Sequence, residues 1–201
     1  MRLVLASTSI YRRDLLARLG LPFSAVAPAV DERPLPGERP LELAARLALL
    51  KAQSAAPPDA LVIGSDQVAS LDGRILGKPG SHVAALEQLV ACQGRAVDFH
   101  TAAAIVDRSG GRVWQTVNHT EVRFASLGEA ALDRYLRADQ PYDCAGGFKA
   151  EGLGIALFER IESRDPTALI GLPLIWVAAT LRAAGLDPLG MELRAARRRH
   201  R

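Results

Sequence analysis

An α/β fold, with a mixed twisted sheet flanked by helices, is what this 201-residue sequence predicts. Three observations lead there. Short apolar runs of strand length alternate with segments of helical periodicity, first at residues 3–6 and 11–19. Two longer strand-like segments, 99–106 and 113–124, are joined by Arg108-Ser109-Gly110-Gly111 and read as an antiparallel hairpin, which makes the sheet mixed. The composition, 49% hydrophobic and 23% charged, is that of a globular chain able to bury a large core.

Taken in order, Leu3-Val4-Leu5-Ala6 is a buried strand, and Leu15, Leu16 and Leu19 then share one face of a helix over 11–19. Ser7, Thr8 and Ser9 sit at the junction, where hydroxyls cap a helix and first-turn amides suit a phosphate. Past the proline-rich stretch 28–40, a second helix covers 41–54, with Leu43, Leu47 and Leu50 on one face and Lys51 near its end. Leu61-Val62-Ile63-Gly64-Ser65-Asp66 is an apolar run that stops on small and acidic residues, a strand delivering its polar end to a cleft. Helices are predicted over 82–91, 129–137 and 174–184, a glycine loop at Gly146-Gly147 and a strand over 155–161. No repeat or linker divides the chain, so one unit with two lobes around the cleft is expected over 1–190, followed by a basic tail, 191–201.

Composition excludes several classes. Cys92 and Cys144 lie far apart with no CxxC spacing, so both are read as free thiols. Arg12 and Arg13 interrupt the start before a signal-peptide core is complete, and no apolar run nears the roughly 20 residues of a membrane span. The expectation is a cytoplasmic protein without a membrane partner, for which the Asn118-His119-Thr120 glycosylation pattern has no use. The pI near 9.2 comes from arginines at 194, 197, 198, 199 and 201; without them 20 basic side chains face 22 acidic ones. Nucleic acid is therefore not an expected partner, and weak phosphate or RNA contact by the tail is the alternative.

Four polar stations stand at element ends: Ser7-Thr8-Ser9 with Arg12-Arg13, Asp31-Glu32, Gly64-Ser65-Asp66-Gln67 and Gly77-Lys78-Pro79. Singly, each has a plain reading: Asp66 as a turn cap, Lys78 as a surface lysine, Arg12-Arg13 as a solvated helix face. Together they supply cations for phosphate oxygens, carboxylates for a divalent metal and one carboxylate to orient water. Neither a Walker A loop nor a dinucleotide fingerprint competes, since Gly152-Leu153-Gly154 lacks the third glycine.

These stations, with Lys51-Ala52-Gln53, Ala145-Gly146 and Gly171-Leu172-Pro173-Leu174, occur in an order that resembles the Maf family of nucleoside triphosphate pyrophosphatases. The resemblance runs from Leu3 to about Leu189 and leaves out the tail. It implies a Maf/Ham1-like, inosine triphosphatase-like fold around a nucleotide cleft. It also implies hydrolysis between the α and β phosphates with a divalent cation, Mg2+ or Mn2+. Carried over by position, Asp66 is the catalytic proton acceptor, Ser7, Arg12, Lys51 and Lys78 bind the substrate phosphates, and Glu32 and Asp66 hold the metal. Arginine can fork onto two phosphate oxygens, whereas lysine acts as a point charge.

Tyr11, Gln67 and Glu151 resemble the pattern of the family branch that hydrolyses 7-methyl-GTP, an aromatic, a glutamine and a glutamate. The dTTP and UTP branch has arginine, threonine and glutamine at those places. The chemistry agrees, because N7 methylation makes the guanine ring cationic, which favours an aromatic face and a carboxylate. Gln67 is read as free to donate or accept. Tyr11 stands where the branch more often has tryptophan, and Ile10 where it has proline, which points to weaker stacking or a broader substrate range. The alternatives are a dTTP/UTP pyrophosphatase and a non-catalytic nucleotide-binding regulator of septum formation. A homodimer is one candidate assembly.

Overall fold

The computed structural model describes residues 1–54 and 57–190. The strands are β1 (Arg2–Ala6), β2 (Ser24–Val26), β3 (Ala60–Leu71), β4 (Arg74–Leu76), β5 (Ala96–Asp107), β6 (Val113–Phe124) and β7 (Phe158–Ser163). The α-helices are α1 (Ile10–Ala17), α2 (Pro40–Ser54), α3 (His82–Cys92), α4 (Glu129–Asp139) and α5 (Leu174–Ala183). One mixed sheet runs β2-β1-β3-β5-β6-β7, with β4 added to β3. β1 is parallel to β2 and β3, while the β3–β5, β5–β6 and β6–β7 pairs are antiparallel. No helix among the described residues is long and apolar enough to cross a membrane.

Two edges of β3 behave differently. One pairs with β5 from Leu61 to Ser70. The other pairs with β1 up to Gly64 and with β4 only from Ala69 onward. Residues 65–68 thus lack a strand partner on that edge among the described residues, and the sheet splits there. The strand expected to end at Asp66 instead continues to Leu71, so Asp66 lies in mid-strand beside the split.

Alternation along β3 then sorts its side chains. Leu61 and Ile63 join a core with Leu15, Leu16, Leu172 and Val177, under α1 and α5. Ala69 and Leu71, on the same face, join a second core with Leu89, Phe99, Phe124 and Leu136, under α3 and α4. Between the two cores that face carries Ser65 and Gln67, and β5 carries Thr101 opposite Gln67. The result is two lobes on one sheet, with a polar waist.

The opposite face is covered by α2, whose Leu43, Ala44, Leu47, Ala48 and Ala52 pack on Val68, Ala102, Ala104 and Val106. Alanines at four-residue spacing give α2 a flat stripe that can lie close to the sheet. Gly64 completes it, since a Cβ there would collide with the Ala48 carbonyl oxygen and the Ala52 backbone nitrogen. Pro40 opens α2 at the first helical position, where its missing N–H costs nothing.

Three local expectations are corrected. The strand expected over 155–161 begins at Phe158, because Leu153–Leu157 form a 3-10 turn. The first helix ends at Ala17 rather than at residue 19. β2 and β4, three residues each, were not anticipated. The basic tail 191–201 lies outside the described residues.

Candidate active site

At the split in the sheet lies a cleft of about 700 Å³, lined from both lobes and from both faces of β3. Its size suits a nucleotide-sized ligand. The nine residues given a role in the sequence analysis all line it: Ser7, Tyr11, Arg12, Glu32, Lys51, Asp66, Gln67, Lys78 and Glu151. Arg13 and Asp31 do not. Arg13 is exposed, and Asp31 is turned onto Arg33 in a two-pronged ion pair at 2.6–3.0 Å.

Lys51, on the last turn of α2, is the hub on one face of β3. It is 4% exposed, and its Nζ donates to Asp66 Oδ1 at 2.6 Å and pairs with Glu32 Oε1 at 2.8 Å. Asp66 is itself 7% exposed, whereas Glu32 reaches in from an exposed loop. That loop is tied to α2 by the Glu38–Arg46 pair at 2.6 Å, which holds the Glu38 carboxyl down at about 2, and by Arg46 donating to the Arg33 carbonyl. Two carboxylates therefore converge on one cation.

Among the described residues no group of three or more His, Cys, Asp or Glu side chains is poised for a metal. Glu32 and Asp66 nevertheless present two hard oxygens within reach of one point, the Lys51 ammonium. That donor set fits a Mg2+-like ion, which takes one or two carboxylates and completes its shell with water and phosphate oxygens.

Where β1 ends, Ser7 Oγ accepts from the Ser9 amide at 3.1 Å, and Ser9 caps α1 by accepting from the Arg12 amide at 3.3 Å. The helix N-terminus and the Arg12 side chain are thereby directed to the same cleft. Arg12 Nε donates to the Gly171 carbonyl at 2.9 Å, leaving the terminal nitrogens of the guanidinium for a ligand. Burial lowers the Arg12 pKa, and Asp66 and Glu32 oppose the shift.

Gly171 belongs to a loop that sequence reasoning left without a role. Its φ of +125° is one that a side chain would strain. The loop is nailed down by buried Asp165, which accepts from the Thr167 amide and hydroxyl at 2.9 and 2.6 Å and from the Ile175 amide at 2.7 Å. Thr167 Oγ1 closes it by accepting from the Leu174 amide, with Leu172 O 2.8 Å away as a second acceptor for its one hydrogen. An Asp-x-Thr before Gly-Leu-Pro-Leu was the available sequence signal, an Asx-type turn preceding a helix.

On the other side of the cleft, half-buried Tyr11 lies beside Cys144, Asp143 and Glu151. Burial foremost, then Cys144 and these carboxylates, push its hydroxyl well above the ordinary phenol range. Glu151 is exposed, on a segment anchored by Lys149, whose amide donates to Tyr135 Oη at 3.1 Å and whose Nζ donates to the Asp139 carbonyl at 2.9 Å. Below them Phe99, Phe124, Phe148 and Phe158 pack edge to face, with centroids 4.8–5.7 Å apart, a rigid apolar floor. Lys78 is exposed on the rim, just past β4. Cys144 and Asp143 are the neighbours that sequence reasoning missed.

Gln67 is more constrained than expected. Its Nε2 donates towards Thr101 Oγ1, Ala168 O and Leu169 O at 2.9–3.0 Å. The cleft therefore carries cations and carboxylates on one side and an aromatic ring, an amide and a carboxylate on the other. It can hold a polyanion and a planar, electron-poor group at once.

Comparison with known proteins agrees with this architecture. A "7-methyl-GTP pyrophosphatase" from Burkholderia pseudomallei is 54% identical over 200 residues, covering 97% of this chain and 93% of that protein. Proteins of the same name are 56% identical over 189 residues in Burkholderia thailandensis, covering 92% and 88%, and 54% identical over 190 residues in Bordetella pertussis, covering 94% of each. The family model described as "Maf-like protein" matches residues 2–184, the whole of the sheet and every residue of the cleft discussed above, and the chain belongs to that family.

Proposed function

We propose that the chain is a nucleotide pyrophosphatase that hydrolyses 7-methyl-GTP to 7-methyl-GMP and diphosphate, removing modified nucleotides from the cytoplasmic pool. The observation that carries this reading is the Lys51 ammonium joining Asp66 and Glu32 in the same cleft as Tyr11 and Glu151. The names borne by relatives at 54–56% identity support it.

In this reading Ser7, Arg12, Lys51 and Lys78 hold the phosphate oxygens, and Tyr11, Gln67 and Glu151 hold the base. Water attacks the α phosphorus, its proton passes to Asp66, and the bond to the α–β bridging oxygen breaks to release diphosphate. Glu32 and Asp66 would hold a divalent cation, Mg2+ or Mn2+, which supplies charge neutralisation when bound. The methylated ring, positively charged, is attracted to the Tyr11 face by about 0.5–2 kcal/mol, depending on desolvation.

The test is diphosphate release from a panel of methylated and ordinary nucleoside triphosphates with magnesium or manganese. The expected outcome is the highest kcat/KM for 7-methyl-GTP and a loss of about 10²–10⁴-fold in kcat for Asp66→Asn with nucleotide binding retained. A preference for dTTP or UTP would refute the base reading, and wild-type turnover in Asp66→Asn would refute the role of Asp66.

A further inference from the structure

Gln67 and Thr101 face each other directly across β3 and β5. Thr101 is fully buried, and its single hydroxyl hydrogen goes to the Ala168 carbonyl at 2.9 Å, so towards Gln67 the Thr101 oxygen acts as an acceptor. The Gln67 nitrogen thus sits among three acceptors, Thr101 Oγ1, Ala168 O and Leu169 O. Turning the amide over would press its oxygen against two carbonyl oxygens. The cost is of the size of an unmet buried hydrogen bond.

We propose that Thr101 is a positioning residue for base selection: with the Ala168 and Leu169 carbonyls it locks the Gln67 amide so that Oε1, an acceptor, is what the side chain offers to the nucleobase. The inference rests on the substrate reading above and adds to it the atom that does the reading. Oε1 and the Glu151 carboxylate then form a pair of acceptors. Among the common bases, a guanine-type ring presents two adjacent donors, N1–H and the 2-amino group. Adenine and cytosine present an acceptor nitrogen next to their amino group, and uracil and thymine present one N–H between two carbonyls. An amide free to turn would match those edges as well; a locked one does not. Methylation is sensed separately, by the ring charge at Tyr11.

The experiment compares kcat/KM for 7-methyl-GTP and ATP in wild-type, Thr101→Val and Thr101→Ser proteins. It also follows hydrogen exchange of the Gln67 side-chain amide by NMR, that signal being assigned by its loss in Gln67→Leu. Valine keeps the shape and removes the hydroxyl. The expected result is a drop of about tenfold in the preference of Thr101→Val for 7-methyl-GTP, carried by KM with kcat held, and faster exchange of the Gln67 amide. Thr101→Ser restores both. A wild-type enzyme without any preference between the two nucleotides overturns the substrate reading, and the exchange data then still judge the lock. A folded Thr101→Val protein with wild-type preference and exchange overturns the role of Thr101 alone. So does a Thr101→Ser protein as impaired as Thr101→Val.

Discussion

Lys51 and Asp66 form an ion pair taken almost wholly out of water, and such a pair gains little net stability, because desolvation offsets most of the attraction. Its value lies in order. Each partner fixes the other, so neither has to be reorganised when a charged ligand arrives. Gln67 follows the same logic with neutral groups, its nitrogen consumed by protein acceptors and its oxygen left over. The two thiols, Cys92 buried and Cys144 half-buried, give a separate handle on the fold at this scale. Burial pushes Cys92 from 9.0 up to about 11, with Arg95 opposing, and burial with Asp143 raises Cys144 similarly. Between those values the folded state holds a proton that the unfolded state has released. The contribution is therefore complete below pH 9 and is lost as pH rises through about 11. For Cys92 that amounts to about 3 kcal/mol. Urea midpoints measured from pH 8 to 11 should fall, and Cys92→Ala should flatten part of the slope. An alkaline slope unaltered by that substitution would contradict the assignment.

β3 and α2 are the elements on which the site depends, and they show what the sequence could and could not convey. Ser65, Asp66 and Gln67 break an apolar run, so the strand was expected to end there. It continues because each polar side chain is satisfied from elsewhere. Ser65 Oγ lies 2.7 Å from Ala102 O and 2.9 Å from Gly171 O, Asp66 meets Lys51, and Gln67 meets the loop at Ala168. Partners a hundred residues away leave no local signature. β4, by contrast, had one: Asp72-Gly73, both with positive φ, 49° and 79°, form the two-residue hairpin turn that this dipeptide favours. That the charged residues share one cleft was legible because charged groups near element ends stand out from a chain. Thr101 and Asp165 were not, because a threonine in a strand and an aspartate in a loop are ordinary until their partners are known. Gly64, placed from sequence in the strand run, is extended in β3 and serves close packing against α2. Gly64→Ala should force α2 away from the sheet, lowering stability by about 1–3 kcal/mol. It should also reduce turnover at temperatures where the variant remains folded, since Lys51 moves with the helix. A variant with wild-type Tm and wild-type kcat would show that the close approach is not needed.

At the scale of the molecule, both lobes are built on the same three strands, β3, β5 and β6, each twelve residues long. Continuous backbone therefore sets the width of the cleft, and the two sides of the site are held in register by sheet hydrogen bonds rather than by a linker. All seven strands lie within the family match, which ends at 184, one residue past α5, and beyond it Leu186 still packs on the core under α1 and α5. The tail from 191 to 201 holds five arginines and one glutamate, so removing it changes the formal net charge from +3 to −1. If the tail only adds charge, a chain ending at residue 190 should keep the kcat and KM of the full chain at physiological salt. What it should lose is binding to polyanions such as RNA or heparin, which in the full chain weakens as salt is raised. Side-by-side measurement of turnover and of salt-dependent RNA binding separates the two properties. A truncated chain with reduced turnover would place the tail in the catalytic unit and move the boundary of that unit past 190.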